Sequence, residues 1–572
     1  MIEHFDFVGA DERVKKYILP KKVLAVGGNV CDTDNLLLKK SLQIGFLQDG
    51  LTILKNTEEG ERAWILLDFG CEFHGGIRIM TSQIKPSKSP LRVRLTFGES
   101  VGEALSNIGQ SYAGNDHSPR DFEVCVSQWS DLEFGQTGFR FVRIELLDRV
   151  AEWKIKSIHG VFVYRDLPYI GSFECSDKRL NEIYNTAAYT CHLNMQTMLW
   201  DGIKRDRLVW VGDTHPEMLA IKTLFGRHSI VEENLRFSRD ETPLPGWMNH
   251  LISYSFWWLI LLYDWCYSVD DFSLAEESSD YIQGLLEQIL SNIDSSGNHN
   301  FPDYFLDWNT RGKTEAKAGV HALMYLALRA GELLCLRVGA NDLANRCSET
   351  MKLLKKNIPD PGNSTEANSL LLFGNLGDTF HAVKTLLENG ADGMSTLLSY
   401  YTLTALANNG QVDAAIHMLK TYYGGMLDMG ATTFWENFHM YWTKNSTRID
   451  AFPEEGKFDV HGAFGEHCYK GFRHSLCHGW SAGPVAFLAE QILGIRVTEA
   501  GGAHIHLSPN LSGLEYAKGS YPTKYGKVEV AYEKMGERIV LTHLKAPKQC
   551  GLSMDQGIKI GTLNDNMKEE TI

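Results

Sequence analysis

No CxxC pair occurs in the 572 residues, and the eleven cysteines are odd in number and scattered. That pattern excludes a disulfide framework and a zinc ribbon, and it points to a reducing compartment. Basic charge is also short. The 56 Lys and Arg face 71 Asp and Glu, a net charge of −15 that would repel phosphates. Neither nucleic acid nor an anionic membrane is therefore expected as a partner. Long apolar runs are missing too: the most apolar stretch, Ser255-Phe-Trp-Trp-Leu-Ile-Leu-Leu-Tyr263, stops at Asp264. It is too short for a bilayer and suits a buried helix. The first residues, Met-Ile-Glu-His-Phe-Asp, have no basic segment followed by an apolar one, so no secretory leader is expected. A cytoplasmic location follows, or a periplasmic one if a leader has been removed. Gly27-Gly28 has none of the context of a phosphate loop, and no cofactor is expected.

What is present falls into three parts. Residues 1–172 carry short, largely alternating runs such as Trp64-Ile-Leu-Leu-Asp68, Gly76-Ile-Arg-Ile-Met80 and Phe139-Arg-Phe-Val-Arg-Ile-Glu-Leu146, separated by Gly, Asn, Ser and Pro. These read as an antiparallel β-sandwich. In residues 91–97 the alternation places Leu91, Val93, Leu95 and Phe97 on one face and the arginines on the other. From 173 to 495 the period becomes helical, as in His321-Ala-Leu-Met-Tyr-Leu-Ala-Leu-Arg-Ala-Gly-Glu-Leu-Leu. Residues 371–387, 395–408 and 411–423 continue it. About a dozen helices with no strands between them predict an (α/α)6 barrel, and the lack of a fixed-period repeat disfavours an α-solenoid. Residues 496–572 return to β character as a small sandwich, with a polar tail from about residue 562.

The chemistry concentrates in Trp200-Asp-Gly-Ile-Lys-Arg-Asp-Arg-Leu-Val-Trp-Val-Gly-Asp213, which cannot be one regular helix. A helical pattern precedes it, and Thr214-His-Pro-Glu217 after it reads as a capping box. Asp201, Asp206 and Asp213 then lie on a loop between two helices, with Asp213 at a helix N-terminus that would favour its charge. Acids beside Trp200 and Trp210 suit a carbohydrate site. The same residues also suit a solvated turn in which Arg205 and Arg207 pair with the aspartates. Three further segments set polar groups next to indoles: Asp303, Asp307 and Trp308; Trp435 and Glu436; Trp247 and Asn249. In a helical barrel such loops can converge, and glycoside hydrolysis needs two carboxyls at one place. Residues 461–478 hold His461, His467, Cys468, His474, Cys477 and His478. Their spacing matches no standard zinc pattern, and no metal is expected.

Together these residues resemble the bacterial α-L-rhamnosidases of glycoside hydrolase family 78, six-hairpin glycosidases with β-sandwich domains, an (α/α)6 catalytic barrel and a C-terminal sandwich. The resemblance runs from about Asp68. It includes Asp68-Phe-Gly-Cys-Glu-Phe-His-Gly-Gly76, Gly138-Phe-Arg-Phe-Val142 and Gly171-Ser-Phe-Glu-Cys-Ser-Asp177. Residues 201–213 are similar to the family's Asp-Cys-Pro-x-Arg-Asp-Glu-Arg-Leu-Gly-Trp-Thr-Gly-Asp, whose Glu is the general acid. Gly430-Ala-Thr-Thr-Phe-Trp-Glu436 resembles the segment whose Glu is the general base of an inverting reaction. His478, Asp307-Trp308 and Trp247 fall where the family binds sugar.

Two departures stand out. The first motif is one residue shorter here, with no Glu after Arg205, and Asn249 stands where the family has Asp. Aligned from Trp210 and Asp213, Asp206 takes the place of the acid. The resemblance thus implies Asp206 as acid and Glu436 as base, with Asp201, Arg205, Asp213, Asp307 and His478 holding hydroxyls. Trp210, Trp247, Trp308 and Trp435 would wall a pocket for a deoxy sugar. The implied partner is a rhamnose-containing glycan or glycoside, and a homodimer is compatible with this reading. The alternatives are a non-catalytic or altered-specificity sugar-binding protein on the same scaffold, and a uronate eliminase using His478 or Tyr441 as base.

Overall fold

The computed structural model describes residues 9–46 and 49–560. The sequence readings of the first residues and of the polar tail lie outside this range. Arg13–Ile18 through Ala151–Arg165 form a nine-stranded sheet in which every pairing is antiparallel. The alternation works as expected: Leu91, Val93, Leu95 and Phe97 are buried and Arg92 is exposed. Each such burial stabilises by about 1.5–3 kcal/mol. Trp64–Lys85 is the spine of this sheet, pairing with Asp131–Leu146 on one side and Ala151–Arg165 on the other. Its register slips between Asp68 and Phe73. At that slip Glu72 meets Thr432 and Thr433 of the helical region. Gly75 follows at φ +143, where a Cβ would lie 1.8 Å from the Val161 carbonyl.

The central region is helical, with twelve helices of eight residues or more among the described residues. Asp177 starts the first, Lys178–Asn194, by accepting from the Arg179 and Leu180 amides. Ile252–Val269 is the buried helix expected from its apolar run. Ala316–Val338 is long and apolar enough by length and composition to cross a membrane, yet 78% of that window is packed inside the protein. Residues 371–387 do not form one helix. Thr365–Phe373 ends and Thr379–Asn389 begins across a turn containing Asn375 at φ 54 and Gly377 at φ 72. Asp378 caps the second helix, a stop-and-start signal that the apolar pattern had hidden.

The C-terminal strands make a five-stranded and a three-stranded sheet. The strand Ser172–Cys175, early in the chain, is an edge of the first, pairing with Tyr516–Thr523. The chain therefore enters the helical region through a strand of the C-terminal sheet.

Candidate active site

Residues 195–213 form the expected loop between Lys178–Asn194 and Thr214–Leu224. Asp201 closes its irregular part: its Oδ1 accepts from the Leu208 amide at 3.0 Å. Its own carbonyl accepts from Gly479 at 2.8 Å, and Gly202 bridges to His478. The expected capping box is absent. Asp213 is the N-cap residue but makes no side-chain cap, and the Glu217 carboxyl is buried rather than folded back on the helix end.

Glu436 comes to this loop from residues 430–437, held by a second long-range set of bonds. Its amide donates to the Ser475 carbonyl at 3.0 Å, and His478 N–H donates to the Phe434 carbonyl at 3.0 Å. The Trp480 indole donates to the Glu436 carbonyl at 3.0 Å. The Glu436 carboxylate accepts from the Ser475 amide and is paired with Arg205 through both oxygens, one at 2.6 Å. Arg205 Nη1 lies 3.0 Å from Asp206 Oδ2, and Nε donates to the Arg473 carbonyl at 2.8 Å. One guanidinium thus spans the two carboxylates that the resemblance makes acid and base. Each nitrogen of Arg205 has a protein partner, so the guanidinium arranges the acids, and these bonds leave the second Nη1 hydrogen unused. Arg207 bonds the Gln136 and His117 carbonyls, not an aspartate.

His478 Nε2 sits 3.7 Å from Glu436, 3.9 Å from Asp201 and 3.9 Å from Asp213. Burial, followed by the Arg205 charge, pushes its pKa well below the usual imidazole range, so the ring is neutral. Asp201 moves the other way, raised by burial and then by the neighbouring acids Asp206 and Asp213. Asp213 is raised by burial against the Tyr254 hydroxyl that donates to it at 2.8 Å. Burial therefore overrides the helix N-terminus that was expected to favour its charge. Glu217 is raised likewise, by burial and then by Asp213 and Asp201. Asp307, which accepts from the Tyr469 hydroxyl at 2.8 Å, is pushed up by burial to about 6.

The indoles divide. Trp210, Trp247 and Trp308 are half-buried, and edge contacts link Trp210 to Tyr254, Tyr254 to Phe305 and Phe305 to Trp308. Trp435 is fully buried against Phe438 and His474, so it supports the site from behind and offers no stacking face. Asn249 staples the loop, accepting from Val211 N–H and donating to the Val209 carbonyl. Two imidazoles of the His-rich stretch serve structure: His461 bonds Ser100 and the His474 carbonyl, and His474 accepts from the Asn437 amide. Glu99, Glu103 and His461 lie close enough together to hold a cation. The Lys204 ammonium stands there, 2.8 Å from Glu99 and 3.3 Å from Glu103.

Several contributors carried no sequence signal. Tyr254, Tyr469 and Arg473 sit in unremarkable helical or loop contexts. His117 comes from the β region and meets Asp206, its Nδ1 lying 2.8 Å from Oδ1.

Residues 168–274 match the family model for the bacterial α-L-rhamnosidase six-hairpin glycosidase domain. An α-L-rhamnosidase of Formosa agariphila is 31% identical over 172 residues, 28% of this chain and 17% of that protein. The rhamnosidase of Bacillus sp. GL1 from glycoside hydrolase family 78 has TM-score 0.75 at 20% identity, covering 92% of this chain and 56% of its own. A Klebsiella oxytoca rhamnosidase with rhamnose bound has TM-score 0.64 at 21% identity, covering 84% of this chain and 96% of its own. The chain thus spans less than a fifth of the curated relative and little more than half of the Bacillus protein. By sequence over residues 168–274 and by fold over most of its length, the chain resembles the bacterial α-L-rhamnosidases of glycoside hydrolase family 78.

Proposed function

We propose that this chain hydrolyses terminal α-L-rhamnosyl residues from oligosaccharides, polysaccharides or glycosides, with inversion at the anomeric carbon. The helices form an (α/α)6 barrel over residues 173–495, and the flanking β regions are sandwiches over 1–172 and 496–572. The observation that carries the reading is the single Arg205 guanidinium joining Asp206 to Glu436, beside the Asp201, Asp213 and His478 cluster. Asp206, protonated, gives its hydrogen to the departing glycosidic oxygen. Glu436, as carboxylate, takes a proton from the water that attacks the opposite face. Inversion requires the carboxyls to stand about 6.5–9.5 Å apart, a gap that one guanidinium with a hydrogen bond at each end can span. Asp201, Asp213, Asp307 and neutral His478 offer acceptors and donors to the sugar hydroxyls. The half-buried Trp210, Trp247 and Trp308 offer apolar surface to the C6 methyl of a deoxy sugar.

Asp206 is one methylene shorter than the Glu of the family pattern. Consecutive left-handed residues, Asp206 and Arg207, each at φ 53, re-aim the turn that carries it. Misplacement by about 1 Å can cost around a hundredfold in rate, so this turn decides between enzyme and sugar-binding protein. Initial rates on a panel of p-nitrophenyl glycosides, with wild type beside Asp206→Asn and Glu436→Gln, test the reading. Cleavage of the α-L-rhamnoside, lost in Glu436→Gln and reduced in Asp206→Asn, is the expected result. No cleavage by wild type, with L-rhamnose raising its melting temperature, overturns the hydrolase in favour of the binding protein.

A further inference from the structure

The β region does more than buttress the helices. Its loop 114–120 reaches the turn that carries Asp206 and makes three kinds of contact with the site. Asp116 pairs with Arg473 at 3.1 Å, whose carbonyl in turn holds Arg205. The His117 carbonyl accepts from Arg207 at 2.7 Å. The His117 ring meets Asp206 twice: the Asp206 amide donates to Nδ1 at 2.9 Å, and Oδ1 lies 2.8 Å from the same nitrogen.

These two contacts define where hydrogens sit. A neutral imidazole nitrogen is either a donor or an acceptor, and accepting the amide N–H makes Nδ1 an acceptor with the ring hydrogen on Nε2. A carboxylate oxygen at 2.8 Å would then set lone pair against lone pair. The contact is favourable when Oδ1 carries a hydrogen and shares the single Nδ1 lone pair with the amide N–H in a three-centre bond. Asp206 Oδ2 meanwhile faces Arg205. The two oxygens are thereby distinguished, one on a cation and one on an acceptor.

We infer that His117 is a positioning residue that holds the Asp206 carboxyl, with its hydrogen on Oδ1, at the leaving-group side of the site. The inference rests on the reading of Asp206 as the acid. In the reaction the Asp206 O–H bond breaks as the O–H bond of the departing alcohol forms, and solvent returns the proton. With its side chain 38% exposed against 16% for Asp206, His117 is the more open of the two to solvent. The charged and titratable groups around the pair are Arg205, Arg207, Asp116 and Arg473, with Asp201, Asp213 and His478 on the site side of Asp206.

Leaving groups separate this role from a structural one, because p-nitrophenolate needs little protonation whereas methoxide needs it fully. His117 has φ +65, which glycine and asparagine adopt with least strain, so His117→Gly and His117→Asn preserve the backbone. In His117→Gly we expect methyl α-L-rhamnoside hydrolysis to fall by about 10- to 100-fold and p-nitrophenyl hydrolysis by under about threefold. His117→Asn restores an acceptor near the Nδ1 position and should recover most of the loss. Asp206→Asn, run beside them, should show the same split more strongly. Equal losses on both substrates in His117→Gly, with the split present in Asp206→Asn, overturn the role of His117 alone. No split in Asp206→Asn overturns the acid assignment, and this inference with it.

Discussion

The stretch around Glu436 and the turn around Asp206 are held by opposite means. At Glu436 almost every nearby backbone group has a partner from another element. Its amide is on Ser475, its carbonyl accepts from Thr396 and Trp480, the Trp435 carbonyl accepts from Ser481, and the Asn437 amide is on His474. The Asp206 turn has two left-handed residues, each costing about 1–2 kcal/mol in a non-glycine chain. It is held mainly by side chains, His117 and Arg207 across the β region and Arg205 within the site. On the proposed reading the base is fixed in a rigid socket, while the acid rides on a turn that can absorb a missing residue.

Breaking the rigid side should have the largest effect. Glu436→Gln is expected to lower kcat/KM by about 10²–10⁴-fold, equally on activated and unactivated leaving groups, since base catalysis does not depend on the departing alcohol. A leaving-group split in this variant would erase the contrast between the two carboxyls. Arg205→Met comes next. It leaves the buried Glu436 unpaired, both side chains being 5% exposed, and should destabilise the fold by about 3–5 kcal/mol in urea titration. A loss under about 1 kcal/mol would mean that Glu436 relaxes to solvent, and that its socket is not rigid.

The buried acids give a pH signature. Asp307 is raised by burial from 3.8 to about 6, so the folded state holds its proton over a range where the unfolded chain has lost it. Its contribution favours folding below about pH 4 and is lost as pH rises toward 6. Asp307→Asn should therefore gain stability relative to wild type between pH 4 and 7, by about 1–3 kcal/mol. Denaturant titrations at the two pH values measure this. An unchanged difference would mean that Asp307 is solvated and already ionised. The smallest expected effect is that of Thr433→Val, which removes a hydroxyl that donates to the Leu476 carbonyl at 2.7 Å and lies 3.1 Å from the Glu72 carboxyl, and should cost about 1–2 kcal/mol in the same assay. Full stability there would show that the Glu436 socket does not depend on the β region.

Local signals carried the frame of the molecule. Alternation over residues 91–97 marked the buried face of a strand, and the apolar run at Ser255 marked a core helix, because periods of 2 and 3.6 are written in neighbouring residues. The three aspartates on a loop between helices were equally legible. Partners were not. The sequence around Arg205 offers aspartates on both sides, and the guanidinium does take Asp206, but its other partner, Glu436, lies 231 residues away. Trp435 resembled a pocket wall by type, but packing against Phe438 and His474 removes it from the surface. His117 sits in a turn-rich stretch of the β region and gains its place only when that region docks. The state of Asp213 is illegible for a related reason: the helix end is local, whereas burial is tertiary and stronger here.

The most direct measurement follows the anomeric proton by NMR during hydrolysis of p-nitrophenyl α-L-rhamnoside by the wild-type protein. The account predicts that β-L-rhamnose is released first, with the α anomer growing only as mutarotation proceeds, because Glu436 delivers water to the face opposite the leaving group. First release of α-L-rhamnose, or no release of rhamnose at all, would contradict it.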